Sequence, residues 1–191
     1  MLVITSTTTL VPDNPAAAYA AYRQAASAVF LAGTQGLKYK KDHYDLAVDL
    51  SKAGLTYIDE RADEIVIGAM TPLWQIKISQ AIQNFAGGAI SKAISDVADK
   101  NIQRYGTLGG VISSKAPFSV LLPILLSLHV DVQLQDKGCM SLDDYLHCPP
   151  MGELVTGISI AKEAVYTAYK AYRKLPLHEP TLLGAVAMRD E

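Results

Sequence analysis

Cysteine, histidine and tryptophan are scarce in this chain, and each scarcity closes off a class of chemistry. Only Cys139 and Cys148 occur in 191 residues. Two thiols build no disulfide framework and fall short of a four-cysteine zinc or iron–sulfur site. Both read as reduced thiols. His43, His129, His147 and His178 are dispersed, without HExxH-type spacing. His129 borders an apolar run and reads as a satisfied structural residue, and no metal site is expected. Charge of one sign is also lacking. The net charge is -2, with 19% of residues charged, so nothing advertises nucleic acid or an anionic membrane surface. The longest apolar run, residues 120–128, is broken by Pro123 and Ser127 and is too short to span a bilayer. Met1-Leu2-Val3-Ile4 has no basic stretch and runs straight into Thr and Ser, so no export signal is read and a cytoplasmic location is expected. The strict Rossmann G-x-G-x-x-G and the P-loop Gly-Lys-Ser/Thr are both missing. A standard NAD fold and an ATP-type phosphate loop are therefore not indicated.

What is present is a chain that is 50% hydrophobic, long enough for one or two domains and a sizeable core. Residues 2–4 read as a short strand and residues 5–9 as polar. Asn14 and Pro15 carry the N-cap and first-position signals of a helix over residues 16–28. Ala28-Val29-Phe30-Leu31 reads as a buried strand ending at Gly33. Together these form a βαβ-like unit, with the Gly33 loop at a strand exit, where open α/β sheets bind ligands. Residues 46–50 form a further strand. Residues 55–58 and 64–68 pair as a hairpin around the solvated acidic turn 59–63. Thr71-Pro72 opens a helix by the cap and first-position rule, with Trp74, Ile76, Ile78, Ile82 and Phe85 as its apolar stripe and the lone Trp in the core. Gly87-Gly88 breaks the pattern before a helix over residues 89–98. Residues 118–128 read as a buried helix that Pro123 kinks or starts. Val130, Val132 and Leu134 alternate with polar residues as a half-buried strand. Ser141 caps a short helix, residues 154–160 form a strand, and residues 165–172 and 182–188 form a last hairpin.

Two small-residue loops carry the candidate chemistry. Gly106-Thr107-Leu108-Gly109-Gly110 has three glycines in five positions, and Ala32-Gly33-Thr34-Gln35-Gly36 follows an apolar strand. A pyrophosphate needs several oriented N–H donors and little side-chain bulk. Both loops fit that need, and the expectation is that they meet and hold one phosphate-bearing ligand. The competing reading makes both of them tight turns that pack strands against helices. Ser113-Ser114-Lys115 reads as a loop, not a catalytic dyad, and no catalytic side chain is assigned.

Several segments, in order, resemble the FAD-binding (medium) subunit of the xanthine dehydrogenase and carbon monoxide dehydrogenase family of molybdenum hydroxylases. They are residues 30–37, Ile67-Gly68-Ala69-Met70-Thr71, the glycine motif at 106–110, Pro117 through Leu122-Pro123, and Leu142-Asp143-Asp144-Tyr145-Leu146 followed by residues 154–160. The resemblance implies an α+β, two-subdomain FAD-binding fold of the vanillyl-alcohol-oxidase/PCMH type, with only the start of the C-terminal domain. Residues 1–54 would be an N-terminal βαβ-like FAD subdomain. Residues 55–162 would be a mixed α/β FAD subdomain, and residues 163–191 the first hairpin of a truncated C-terminal domain.

Carried over residue by residue, the first phosphate loop falls on Ala32, Gly33, Thr34, Gln35, Gly36 and Leu37. The second falls on Thr107, Gly109 and Gly110. Ser114 matches a small polar position, and Lys170 a basic position near the flavin. The implied cofactor is FAD. The implied role is an electron-transfer flavoprotein subunit of an oxidoreductase, xanthine dehydrogenase-like and active only with partner subunits. It would relay electrons from an iron–sulfur subunit to an acceptor such as NAD or a quinone, while a molybdopterin-binding large subunit oxidises the substrate. No protein nucleophile is needed, because the flavin carries the electrons.

The sequence also departs from the family pattern. Gly33-Thr34 replaces a double glycine, Val111 an Asn, Val120 an acidic residue, and Gln103-Arg104 an Arg-Asn pair. Each polar-to-apolar change removes a bond worth roughly 0.5–1.5 kcal/mol net. An alternative therefore stands beside the first reading: an FAD-poor structural or interaction subunit that keeps the fold. Restoring Asn at position 111 and Asp at position 120 is expected to raise FAD affinity if the pocket is intact.

Overall fold

The computed structural model describes residues 5–37, 42–97, 99–115, 119–175 and 178–189. Strand expectations at residues 2–4, and the parts of helix expectations at Ala98 and Phe118, lie outside the described residues, as does Pro117.

The first sheet follows directly from the N-terminal sequence. Strand β1 is Thr5–Leu10, so the polar threonine run is itself the strand. β-branched Thr suits a pleated surface, and the exposure along β1 fits its polar side chains. Helix α1, Pro15–Gln24, starts as its sequence predicts: the Asn14 side chain accepts from Ala17 N at 2.8 Å. It ends four residues before Ala28. Strand β2 is Ala28–Leu31 and strand β3 is His43–Asp49. The sheet order is β1-β3-β2, and both pairings are parallel. The expected βαβ unit is present, with β3 inserted between its two strands. Ala18, Val48, Leu50, Ala53, Leu55 and Leu154 form its small core.

The second sheet has five antiparallel strands in the order β4-β5-β8-β6-β7. These are β4 Ile58–Glu60, β5 Glu64–Gly68, β6 Val130–Leu134, β7 Gly138–Ser141 and β8 Val155–Ala161. The hairpin at the sheet edge is laced by Arg61, which pairs with Asp59 at 2.8 Å and Glu64 at 2.5 Å. Val130, Val132 and Leu134 are buried and Asp131 is exposed, as their alternation predicts. One large core of Ile, Leu and Val from this sheet and its helices holds the unit together.

The helices depart from the sequence expectation in instructive ways. The stripe from Trp74 to Phe85 is not one helix. It splits into α2 Leu73–Ile78, α3 Gln80–Asn84 and a 3-10 turn over Phe85–Gly88. Ser79 is extended at ψ 127°, and Ala86, Gly87 and Gly88 all have positive φ. Ile76 and Ile82 are buried, but Trp74 is 44% exposed, so the tryptophan is not a core residue. Thr71 does not cap α2. Its hydroxyl donates to Tyr57 O at 2.9 Å and accepts from Tyr57 N at 3.1 Å. Helix α4 is Ala89–Ser95, and α5 is Lys100–Tyr105, capped by Asp99. Helix α6, Leu108–Ser114, takes in the double glycine and Ser113-Ser114, which the sequence suggested were loops. Helix α7, Leu122–Ser127, begins at Pro123's turn, and α8, Leu142–His147, is capped by the Ser141 hydroxyl.

The last sheet pairs β9 Val165–Tyr172 with β10 Leu182–Arg189. Alone, such a hairpin is marginal. Here its inner face, through Val165, Tyr169, Ala185 and Ala187, packs on the large core. Thr167 donates to Ala86 O at 2.6 Å, Arg173 to Asp96 O, and Arg189 Nε reaches Glu163 at 2.6 Å. Glu163 also meets His129 Nδ1 at 2.5 Å. Hydrogen bonds from Arg189, foremost, and from His129 hold its carboxyl below its ordinary value.

Candidate functional site

The two loops meet. A Cβ on Gly33 would lie 2.0 Å from the Tyr105 carbonyl oxygen and 3.1 Å from Gly106 Cα. Only a glycine at position 33 lets the exit of β2 lie against the turn between α5 and α6. The contact opens a pocket of ≈ 460 Å³ lined by Ala32, Gly33, Thr34, Gln35, Met70, Pro72, Arg104, Tyr105 and Thr107. Among the described residues, the backbone N–H groups of Gly33, Thr34 and Thr107 donate to no protein atom. Each remains available to an anion. Thr34 reaches this geometry at φ 54°, a left-handed conformation that is unusual for a β-branched residue.

The double glycine does different work from that expected. The Leu108 N–H donates to Thr71 O at 3.1 Å, and Gly109 N–H to Ala69 O at 2.8 Å. Gly110 N–H goes to the Thr107 hydroxyl at 3.2 Å, a helix cap. These three donors are consumed. Gly109 is required for packing instead: its Cβ would fall 2.7 Å from Ala69 Cβ and 3.0 Å from Ala69 O. The motif therefore seats the start of α6 against the end of β5. That contact places Thr107, and with it the unengaged N–H, at the rim of the Gly33 pocket.

The remaining residues expected at the site are spread out. Gly36 and Leu37, the last two residues of the first loop, do not line this pocket. Ser114 sits at the far end of α6, where its hydroxyl donates to Val111 O at 3.1 Å. Lys170 is exposed on the outer face of β9, its Nζ 5.7 Å from the Tyr172 ring. Val111 packs against the large core, and Val120 is 7% exposed. An Asp at position 120 would bury a carboxylate, so the pair of restoring substitutions is not a balanced test. Met70, Pro72, Arg104 and Tyr105 were not singled out by their sequence as lining residues. The one available signal is position: Met70 lies inside the motif segment 67–71, Pro72 and Tyr105 immediately flank the segments at 67–71 and 106–110, and Arg104 is one residue further out.

This donor set fits a pyrophosphate: three unengaged backbone N–H groups, one guanidinium and no carboxylate line the pocket among the described residues. Residues 5–162 match the family model of the FAD binding domain in molybdopterin dehydrogenase. The uncharacterised protein YgfM of Escherichia coli K12 is 31% identical over 168 residues, covering 85% of this chain and 62% of that protein, and YgfM of E. coli O157:H7 matches equally. The chain thus spans less than two thirds of the length of these curated relatives.

Solved structures share the fold. Carbon monoxide dehydrogenase of Hydrogenophaga pseudoflava matches with a TM-score of 0.86 at 22% identity, over 96% of this chain and 69% of that one. A Cu,Mo-containing CO dehydrogenase matches at 0.84 and 24%, over 99% and 71%. Quinoline 2-oxidoreductase of Pseudomonas putida 86 matches at 0.85 and 17%, over 100% and 70%. These neighbours bear out the expected α+β fold, and their names speak of carbon monoxide and quinoline enzymes, not of a xanthine dehydrogenase. The chain belongs to the family of FAD-binding domains of molybdopterin dehydrogenases.

Proposed function

We propose that this chain is the FAD-binding, electron-relaying subunit of a molybdenum hydroxylase-type oxidoreductase complex. The observation that carries the reading is the meeting of the two loops at Gly33 and Tyr105, with residues whose N–H groups are unengaged lining one pocket. In this reading the N–H groups of Gly33, Thr34 and Thr107 bind the pyrophosphate of FAD. Ala32, Gln35, Gly36 and Leu37 shape the first loop around it, and Gly109 and Gly110 hold Thr107 in place. Ser114 and Lys170, outside the pocket, serve the flavin end. Bound FAD supplies reversible electron transfer, and the chain's own part is to bind, orient and shield it.

The iron–sulfur subunit, the molybdopterin-binding large subunit, the acceptor and a cytoplasmic setting all belong to this proposal, as does a xanthine dehydrogenase-like reaction. No helix among the described residues is long and apolar enough to cross a membrane. The division at residues 54/55 and 162/163 is part of the same reading: the parallel sheet, the five-stranded sheet and the hairpin follow it in order. The test is to purify the protein with its flavin status preserved, record the visible spectrum, and titrate FAD by flavin fluorescence. Micromolar binding supports the assignment. No binding at micromolar FAD, with partner subunits present, ends it.

One observation favours a second reading, an FAD-poor structural subunit. The apolar side chains Val111 and Val120 are built into the packing of the protein, so this chain has turned those positions inward. Val111→Asn separates the two readings, since its site is only partly buried. A rise in FAD affinity supports an intact pocket; no change leaves the structural role.

A further inference from the structure

The loop-junction pocket has a single cation among its described lining residues, Arg104. Arg104 stands in the last turn of α5 and is exposed. Its guanidinium carbon lies 6.0 Å from the centroid of the Tyr105 ring, which lines the same pocket. No carboxylate pairs with it among the described residues. Three of the four other arginines are committed elsewhere: Arg61 to Asp59 and Glu64, Arg189 to Glu163, and Arg173 to Asp96 O. The residue beside it behaves oppositely. Gln103 is 5% exposed and donates to Val97 O at 2.6 Å, bracing α5 against the turn that follows α4. Helical geometry thus sends residue 103 inward and residue 104 toward the pocket rim, and this chain carries its cation at 104.

We propose that Arg104 is the electrostatic anchor for the pyrophosphate of the bound dinucleotide. The inference rests on the FAD reading above and deepens it. Three neutral N–H groups orient a dianion but do not balance its charge. A guanidinium with five donors and no carboxylate partner among the described residues does both. Stacking beside Tyr105 keeps it at the rim without a salt bridge that a ligand would first have to break. Val111 and Val120 offer no polar contact, so the pocket's affinity concentrates on the backbone donors and this one side chain.

The experiment uses the full chain and two probes: FAD, followed by flavin fluorescence, and ADP, which has the pyrophosphate without the flavin, followed by calorimetry. Wild type, Arg104→Gln and Arg104→Lys are compared at low and at moderate salt. The proposal expects Arg104→Gln to weaken both probes about tenfold, the scale of one charge-assisted contact. It also expects a shallower salt dependence, because a screened charge has been removed. Arg104→Lys keeps the salt dependence and recovers part of the affinity. Circular dichroism and melting stay unchanged, since the side chain is exposed. Equal binding of FAD and ADP by wild type and Arg104→Gln, with equal salt dependence, overturns the inference while leaving the FAD reading standing. Failure of the wild type to bind either probe, with partner subunits present, removes the FAD reading, and this inference with it.

Discussion

Thr34 is the point at which the first loop bears a measurable strain. Its φ of 54° is in the left-handed region, where the Cβ of an L-residue crowds the following carbonyl at a cost of roughly 1–2 kcal/mol. The side chain is exposed and makes no hydrogen bond among the described residues, so it gives little back. Thr34→Gly removes the steric cost. It also frees the unfolded chain, which costs about 0.4–1 kcal/mol. The net expectation is a gain of about 0.5–1 kcal/mol, or a rise in melting temperature of roughly 1–4 °C for a chain of this size. Thr34→Asn should recover part of the gain, because Asn tolerates this region. Thr34→Val keeps the branched Cβ and should recover none. Urea unfolding is the direct assay: the midpoint should shift in the order Gly, Asn, Thr with an unchanged slope. A loss of stability in Thr34→Gly would refute the strain argument and show that the threonine side chain holds the loop.

Three further substitutions probe the frame around the pocket. Gly33→Ala places a methyl group 2.0 Å from a backbone oxygen and should cost about 2–3 kcal/mol as overpacking, with FAD binding lost as the loops part; thermal unfolding and a flavin titration read both. Thr71→Val leaves the Tyr57 N–H and C=O without the hydroxyl that serves both, and should cost about 1–3 kcal/mol in denaturant unfolding. Tyr169 has a buried hydroxyl with no hydrogen-bond partner among the described residues, so Tyr169→Phe should be neutral or stabilising by about 1 kcal/mol. Burial, with the nearby Asp96 charge, pushes the Tyr169 pKa up from 10.0 to about 12. The folded state then resists an ionisation that the unfolded chain undergoes, so wild-type stability present below pH 10 is lost as the pH rises toward 12. The alkaline decline should be shallower in Tyr169→Phe, measured as stability against pH.

Much of the fold is legible because buried side chains announce themselves by spacing. The alternation at Val130, Val132 and Leu134, the Asn14 cap and the Ser141 cap each reappear in the structure. Periodicity reports which side is buried, not whether the backbone is continuous. Ile76, Ile82 and Phe85 do share one core, yet the chain breaks at Ser79 between them and again at Ala86 just beyond Phe85. The Thr5–Leu10 strand was hidden for the converse reason. Its exposed side chains carry no apolar signal, and only the extended preference of threonine marks it. Thr71 looked like a helix cap because its hydroxyl can serve any nearby backbone donor; tertiary contact with Tyr57 took it instead.

The candidate site was legible in place but not in mechanism. Glycine-rich stretches say that a backbone must approach something closely, and they do not say whether that something is a ligand or the protein itself. In Gly33 it is the protein, at the Tyr105 carbonyl, and the approach leaves unengaged N–H groups on residues that line a pocket. In Gly109 it is also the protein, at Ala69, and the approach uses up the N–H. The two motifs are therefore halves of one junction. One presses β2 against the α5–α6 turn, and the other presses that turn against β5. The pocket lies at their seam because the chain there has been stripped of side-chain bulk for packing reasons, and the N–H groups of Gly33, Thr34 and Thr107 are left over. It follows that mutations at Gly109, whose own N–H is engaged, should weaken ligand binding through Thr107. Mutations at Thr34 should act on binding and on folding through the same φ angle.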